Sequence, residues 1–233
     1  GCFGDGLIYD EVSINYSGSI DVSTNSSVDV GGGFGILGGR NTIQSSEIDG
    51  NISVNSLGKV NAGGLIGYYS SYLGKLIEIY NCNSYMNIDC SAKSFNYESA
   101  DCGGIIGTIL DGEPYIFQSQ YEGNINVINF YKCHVGGVTG HGCLIEESRS
   151  TGIINCETQV AYVGGISGIT LSQTLNLQSG YRYELHGHLK PISLNTGCRI
   201  SIIGGYNIPS GNTNNLQEYM LNSNKKYNNT CNH

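Results

Sequence analysis

A short glycine-rich phrase repeats along this chain, and it constrains the fold more than any other feature of the sequence. It reads Ala-Gly-Gly-Leu-Ile-Gly at 62–67, with close copies at 102–107, 135–140 and 163–168 and looser copies at 30–35 and 203–206. The glycine pairs begin at 31, 63, 103, 136, 164 and 204, so the repeat unit is about 28–40 residues. Self-similarity at a period of this size is typical of stacked repeat proteins. The phrase therefore predicts a repeat array.

A second recurring line follows each phrase after a loop of variable length. At 43–54 it reads Ile-Gln-Ser-Ser-Glu-Ile-Asp-Gly-Asn-Ile-Ser-Val, and related lines stand at 79–90, 116–127, 145–156 and 177–185. Each line combines an apolar residue, a small residue (Ser or Cys), a turn and an alternating strand. Because side chains alternate between the two faces of a strand, Ile52, Val54, Ile125 and Val127 are expected inside and their polar neighbours outside.

These patterns predict an all-β fold, a parallel β-helix-like β-solenoid of about six coils stacked about 4.8 Å apart. The glycine pairs are expected at corners, where they supply conformations with φ > 0 that other residues reach at a cost. Residues 1–29 are interpreted as a degenerate first coil or cap, and residues 30–208 as the repeats. Residues 209–233 are interpreted as a C-terminal cap or linker, since Leu216, Tyr219 and Met220 have helical spacing.

The phrase and the second line together resemble the GLUG motif, roughly Gly-Gly-Leu-Val-Gly, a spacer, and Ile-x-Asn-Cys/Ser-Tyr-x-x-Gly-x-Val. The copy nearest to that pattern joins 63–67 with Ile-Tyr-Asn-Cys-Asn-Ser-Tyr at 79–85. The resemblance covers about residues 30–205, although Met86 and Tyr183 replace the turn glycine. Similar units occur in bacterial IgA-cleaving proteases and in large surface proteins, which implies a β-solenoid stalk or adhesive region. The zinc protease motif His-Glu-x-x-His is absent, so protease activity is not implied.

Composition narrows the classes of partner and the compartment. The net charge is −8 and no basic cluster exceeds the pair at 225–226, so no nucleic acid partner is expected. No apolar run approaches the roughly 20 residues of a membrane helix, so membrane insertion is not expected. We interpret the chain as secreted or displayed at the cell surface. Its four candidate glycosylation sites are Asn15, Asn25, Asn51 and Asn228.

The cysteines number nine, which leaves at least one unpaired within the chain. Cys82, Cys90, Cys102 and Cys156 occupy repeat positions held elsewhere by Ser, Val, Ala or Ile, so they are expected to pack as small hydrophobic residues. Cys90 and Cys156 would lie two coils apart, about 9–10 Å, which is beyond disulfide reach. The disulfide candidates are Cys2, Cys133, Cys143 and Cys231.

Two groups of residues could hold a metal ion. Cys133, His134, His141 and Cys143 flank one phrase, and two thiolates with two imidazoles could form a tetrahedral zinc site. A Cys133–Cys143 disulfide, or two unrelated thiols, is the alternative that we favour. A second group, His186 and His188, is more simply a pair of surface histidines. No cofactor is therefore expected.

The remaining candidates are acidic and aromatic. The acidic pairs Asp111/Glu113 and Glu146/Glu147 could bind Ca²⁺ or serve as paired carboxylates, but a solvated face is the simpler interpretation. Tyrosines crowd one loop region, and such side chains suit contact with glycans or proteins. The predicted binding surface consists of Tyr68, Tyr69 and Tyr72.

These observations favour an extracellular structural and interaction protein, a rod that serves as a stalk, an adhesin segment or a filament subunit. Its expected partners are copies of itself, other surface proteins or glycans. No enzymatic activity is expected, because no catalytic signature is embedded in the repeat. The alternatives are a carbohydrate-active β-helix enzyme using the acids near 111–113, and a glycan-binding module.

Overall fold

The computed structural model of the protein describes residues 9–70, 77–110, 114–141, 144–170, 184–201 and 204–207. These residues form twenty strands, β1 to β20 in chain order. In this part of the chain there is no helix, and therefore none that is long and apolar enough to cross a membrane.

The strands form three parallel sheets. The first sheet contains β1 (Tyr9–Val12), β5 (Asn41–Gln44), β9 (Ile77–Tyr80), β12 (Tyr115–Phe117) and β16 (Leu144–Glu146). The second sheet contains β2 (Asn15–Thr24), β3 (Val28–Gly31), β6 (Glu47–Ser56), β7 (Val60–Gly63), β10 (Asn83–Gly103), β13 (Gln120–Glu122), β14 (Ile125–Gly136), β17 (Arg149–Gly164) and β19 (Glu184–Ser201). The third sheet contains β4 (Phe34–Gly38), β8 (Ile66–Ser70), β11 (Ile106–Ile109), β15 (Thr139–His141), β18 (Ser167–Thr170) and β20 (Gly204–Asn207).

Each coil visits the three sheets in turn and stacks in parallel register on the next coil. The ten residues of β2 pair with β6 without a shift, and β6 pairs with β10 in the same way. The predicted all-β solenoid is therefore confirmed. The prediction of six coils was slightly too high. The third sheet has six strands, but the first sheet has five, so the described residues contain no sixth coil that visits all three sheets. The cap or linker predicted for 209–233 lies outside the described residues.

The interior is a set of apolar ladders that run from coil to coil. Ile52, Ile88 and Ile125 pair laterally, and each is exposed by 1% or less. The ladder of Ile43, Ile79 and Ile116 from the first sheet is fully buried against them. Burying one such side chain stabilises the fold by about 1.5–3 kcal/mol. Period-2 alternation in the sequence was thus sufficient to identify the core.

The glycine pairs are required by close packing, and the prediction of φ > 0 at these pairs was wrong. The described residues with positive φ do not include them. A Cβ at Gly63 would overlap the carbonyl oxygen of Ile66, and one at Gly64 would overlap the side chain of Ser84. Glycine is needed here because the chain reverses against its own backbone and the neighbouring coil, which leaves no room for a side chain.

The left-handed conformation occurs instead at another corner, between the first and second sheets, in residues other than glycine. Four equivalent residues have φ between 46° and 51°: Ser45, Asn81, Gln118 and Glu147. Each precedes a buried small residue that packs at the turn. The hydroxyls of Ser46 and Ser119 accept hydrogen bonds from the N–H groups of Ile14 (2.9 Å) and Cys82 (3.1 Å) in the preceding coils. This inter-coil bond explains the recurring small polar residue of the second line.

Candidate functional site

Charged and polar side chains gather around the buried carboxylate of Asp101. We call this group the Asp101 cluster, and it consists of Asp101, His134, Lys59 and Thr108. Asp101 lies near the end of β10, two residues before a glycine pair, and pairs laterally with His134 of β14. Thr108 lies on β11, after the chain has reversed, and Lys59 immediately precedes β7. The reversal at the glycines packs the third sheet against this part of the second sheet.

Both carboxylate oxygens of Asp101 are bonded within the cluster. Oδ1 lies 2.6 Å from Nδ1 of His134. Oδ2 accepts a hydrogen bond from the hydroxyl of Thr108 (2.8 Å) and lies 3.1 Å from the Lys59 ammonium nitrogen. Asp101 is 4% exposed and His134 is 7% exposed. The carboxylate thus joins three coil segments while it is almost fully removed from water.

The electrostatics of the cluster favour the ionised carboxylate. Burial alone would raise the pKa of Asp101, since it penalises the charged form. The hydrogen bond and positive charge of His134, the Lys59 charge and the Thr108 hydrogen bond outweigh that penalty, so the pKa of Asp101 lies well below its ordinary value. Burial also lowers the pKa of the neighbouring His141, which favours its neutral form.

Aromatic and basic side chains surround the imidazole of His134. Its ring stacks on Tyr162 with centroids 5.4 Å apart, and His141 lies edge-on at 6.2 Å. Lys132 is positioned over the Tyr162 ring, with its nitrogen 5.2 Å from the centroid. Nε2 of His134 is buried and has no hydrogen-bond partner among the described residues.

This arrangement connects coils, and its imidazole is buried. A carboxylate–imidazole pair contributes to catalysis when the imidazole contacts a nucleophile or a bound reactant. Here the outer nitrogen of His134 is buried, and no nucleophile contacts it in the described residues. The Asp101 cluster therefore links neighbouring coils of the second sheet through charged groups, and it reaches the third sheet through the Thr108 hydroxyl.

The zinc site proposed from the sequence is not assembled in the described residues. Cys133 and His134 are adjacent on one strand and face opposite sides of the sheet, and Cys133 is disulfide-bonded. Cys143 lies outside the described residues. Nowhere in the described part do three His, Cys, Asp or Glu side chains form a group suited to a metal ion. His186 and His188 pair by backbone with Thr151 and Ile153, and their side chains are not described.

The disulfide of Cys133 is formed with Cys156, so the suggested Cys133–Cys143 bridge was wrong. Cys156 was expected to be a free core residue. It lies in the same column as Cys90, but it faces Cys133 of the neighbouring coil across the core, a pairing that spacing along one strand does not reveal. Cys82, Cys90 and Cys102 are free and buried, as predicted. Cys2 and Cys231 lie outside the described residues.

A second feature is a regular polar surface on the outside of the second sheet, which we call the outer polar face. It consists of the outward residues of β2, β6, β10, β14 and β17. The amide of Asn87 donates to Asn51 (3.2 Å) and accepts a bond from the side chain of Asn124 (3.2 Å). In a parallel column, Asn126 donates to Asp89 (3.1 Å) and Asn155 donates to Asn126 (2.7 Å). These bonds hold the side chains in fixed orientations along the solenoid.

The tyrosine surface proposed from the sequence is only partly on the surface. Tyr69 is fully buried, and its hydroxyl donates to the carbonyl of Gly39 (2.8 Å), so its assignment to a binding surface was wrong. Tyr68 is half-buried and Tyr72 lies outside the described residues. A different pair is exposed: Tyr97 at 86% and Tyr131 at 39%, with ring centroids 6.2 Å apart.

The remaining candidates are distributed over the surface. Asn15, Asn25 and Asn51 are exposed, whereas Asn228 lies outside the described residues. Asp111 and Glu113 also lie outside them. Glu147 is exposed and accepts a hydrogen bond from Gln118 (2.7 Å), and Glu146 is described only by its backbone pairing with Phe117.

The central residue of the buried cluster, Asp101, was missed by reasoning from the sequence. A signal was present, because the position two residues before a glycine pair is polar or aromatic at five of the six pairs. These residues form one lateral column: Asp29, Asn61, Asp101, His134 and Tyr162. An outward residue is ordinarily solvated, and only the overlying third sheet buries Asn61, Asp101 and His134 in this column.

Comparison with known proteins finds no match: no family model, no curated protein and no solved structure is similar to this chain. The class of protein is defined by the fold alone, a parallel β-solenoid stapled by one disulfide within its described part.

Proposed function

We propose that the chain is an extracellular structural and interaction protein whose β-solenoid rod acts as a stalk, adhesin segment or filament subunit. Its sequence resemblance to GLUG-repeat surface proteins agrees with this role. Coils that stack in continuous parallel register suit mechanical continuity and surface display. The partners are further copies of the chain, other surface proteins or glycans.

The observation that carries the proposal is the exposed end of the described stack. Ile20 and Val22 of β2 are only half-buried, whereas Ile52 and Val54, their partners in the next coil, are 1% exposed. No described strand pairs with the other edge of β2. An apolar ladder that ends beside unpaired backbone groups is a template for another coil. Addition of a coil from a second copy would bury Ile20 as Ile52 is buried.

Sedimentation velocity over a range of concentrations tests this assembly. We expect the wild-type chain to associate and Ile20→Lys to remain monomeric, because an inward charge at the edge blocks stacking. Ser19→Lys is the matched control: it also replaces a neutral side chain by lysine on the same strand but points outward, so association should persist. A wild-type chain that stays monomeric at every concentration would refute assembly.

A second candidate function, glycan binding, is favoured by the exposed pair Tyr97 and Tyr131. Their rings lie 6.2 Å apart at the bend of two adjacent long strands. Tyrosine offers an apolar ring and a polar hydroxyl, a combination that is common in contact surfaces. A glycan array should show binding that is lost in Tyr97→Ala/Tyr131→Ala and retained in Leu110→Ala, which removes an exposed apolar side chain elsewhere. An array with no bound glycan would exclude this function.

A further inference from the structure

Two free thiols lie side by side in the core of the third coil. Cys90 and Cys102 both belong to β10, both are fully buried, and their sulfur atoms are 3.6 Å apart. We propose that Cys90 and Cys102 are a second disulfide site, which closes a covalent link across the core of a single coil when the chain folds under oxidising conditions.

The lateral register shows why the two sulfurs meet. Cys90 pairs with Val54 and Val127, and Cys102 pairs with Ala62 and Val135, all of which are buried in the same core. The strand is irregular between Ser91 and Asn96 and again before Ser99. It therefore turns around the core, and its two halves face each other.

The established disulfide demonstrates that this core accommodates such a link. Cys156 lies in the same lateral column as Cys90, because both pair with Val127. Cys133 pairs with Ala100, which is two residues before Cys102 on the facing half of the strand. Sulfur atoms from the same two facing segments are thus already bonded between neighbouring coils. Closing Cys90 and Cys102 requires an approach of about 1.5 Å, since an S–S bond is about 2.05 Å long.

The oxidant is a small disulfide such as glutathione disulfide. One protein thiolate attacks a sulfur of the oxidant, its S–S bond breaks, and one glutathione thiolate leaves. The second protein thiolate then attacks the mixed disulfide at the protein sulfur and displaces the other glutathione. Overall, two protein thiols lose two protons and two electrons to one glutathione disulfide, which becomes two glutathione molecules.

Oxidation belongs to the folding stage, before the coil closes. The hydrogen bond that the Cys102 thiol donates to Cys90, together with burial, raises the pKa of Cys102 well above its ordinary value in the folded chain, so its thiol remains protonated there. A protonated, buried thiol is unreactive towards exchange. The free dithiol and the disulfide should therefore both persist once folding is complete.

Peptide mapping of the full chain tests the proposal. The chain is folded in a mixture of reduced and oxidised glutathione, then unfolded in guanidinium with N-ethylmaleimide and no reductant, and digested with trypsin. Cleavage after Lys93 separates Cys90, on peptide 76–93, from Cys102, on peptide 94–132. We expect these two peptides joined, and separated after reduction. Maleimide on both Cys90 and Cys102 overturns the proposal.

Two controls make the result specific. Peptide 76–93 also contains Cys82, whose sulfur contacts the carbonyl oxygens of Tyr80 (3.3 Å) and Ile43 (3.6 Å). Cys82→Ser should therefore leave the joined peptides, whereas Cys90→Ser should remove them; a link that survives Cys90→Ser overturns the proposal. In the same digest, peptides 133–149 and 150–182 joined through Cys133 and Cys156 show that oxidation was complete.

Discussion

The outer polar face and the Asp101 cluster use outward-facing positions on the same long strands, yet their environments differ. The column of Asn51, Asn87 and Asn124 is exposed, and its amides bond to one another along the solenoid. The column of Asn61, Asp101 and His134 is buried, because the chain reverses at the glycines and lays the third sheet over it. In the first column the same amide–amide hydrogen bond recurs from coil to coil. In the second column the bonds converge on the single carboxylate of Asp101. A single substitution should therefore matter far more in the second.

The largest effect is expected at the reversal that separates the two environments. A Cβ at Gly104 would overlap both the ring of Tyr121 and the carbonyl oxygen of Gly137. Gly104→Ala should lower the free energy of unfolding by about 3 kcal/mol or more, as overpacking against backbone does. Guanidinium denaturation measures this loss. At Gly18 the atoms nearest to a Cβ belong to the Tyr16 side chain, which can move, so Gly18→Ala should cost much less; equal losses would contradict the packing argument.

The next largest effect is expected from removing the buried negative charge. Asp101→Asn keeps the shape of the side chain but leaves Lys59 and His134 without their anionic partner. Charge-assisted hydrogen bonds contribute about 1.5–3 kcal/mol, so a loss of about 2 kcal/mol is expected in the same denaturation measurement. Asp89→Asn, on the outer polar face, is the matched control and should change stability by less than about 0.5 kcal/mol.

The same contrast should appear in the dependence of stability on pH. The pKa of Asp101 is lowered in the folded chain, so the unfolded chain binds more protons when the pH falls through the ordinary aspartate value of about 4. The stabilisation from Asp101 is therefore complete above about pH 4 and is lost progressively below it. Thermal melts from pH 6 to pH 2 should show a steeper loss in the wild type than in Asp101→Asn. Parallel profiles would show that the cluster does not contribute.

The smallest effect is expected on the outer polar face itself. Asn87→Ala removes its bonds to Asn51 and Asn124, but all three groups are exposed and water replaces the lost partners. The free energy of unfolding, measured by thermal denaturation, should fall by no more than about 0.5 kcal/mol. A loss as large as that of Asp101→Asn would mean that the ladder of amides is a main source of stability, and the contrast between the two columns would fail.

The repeat and its period-2 alternation were enough to predict the parallel solenoid and the burial of Ile52, Val54 and Ile125, because both depend on local pattern alone. For the same reason, the sequence repeat correctly predicted that Cys82 occupies a position that other coils fill with serine. The candidate surface was less predictable. Tyr69 and Tyr68 are neighbours in sequence, and only their alternation at the strand of the third sheet buries one and leaves the other half-exposed.

The amino-acid sequence by itself determined the solenoid fold, the length of each coil and the apolar ladders inside it. Similar units that stack in register can bury their apolar residues in only one way. The tertiary structure decided which outward residues stay in water and which cysteines meet. Asp101 is buried because another sheet crosses its strand, and Cys133 bonds to Cys156 because two strand halves face each other across a core. In both cases the residues are neighbours in space, and their spacing along the chain does not predict the contact.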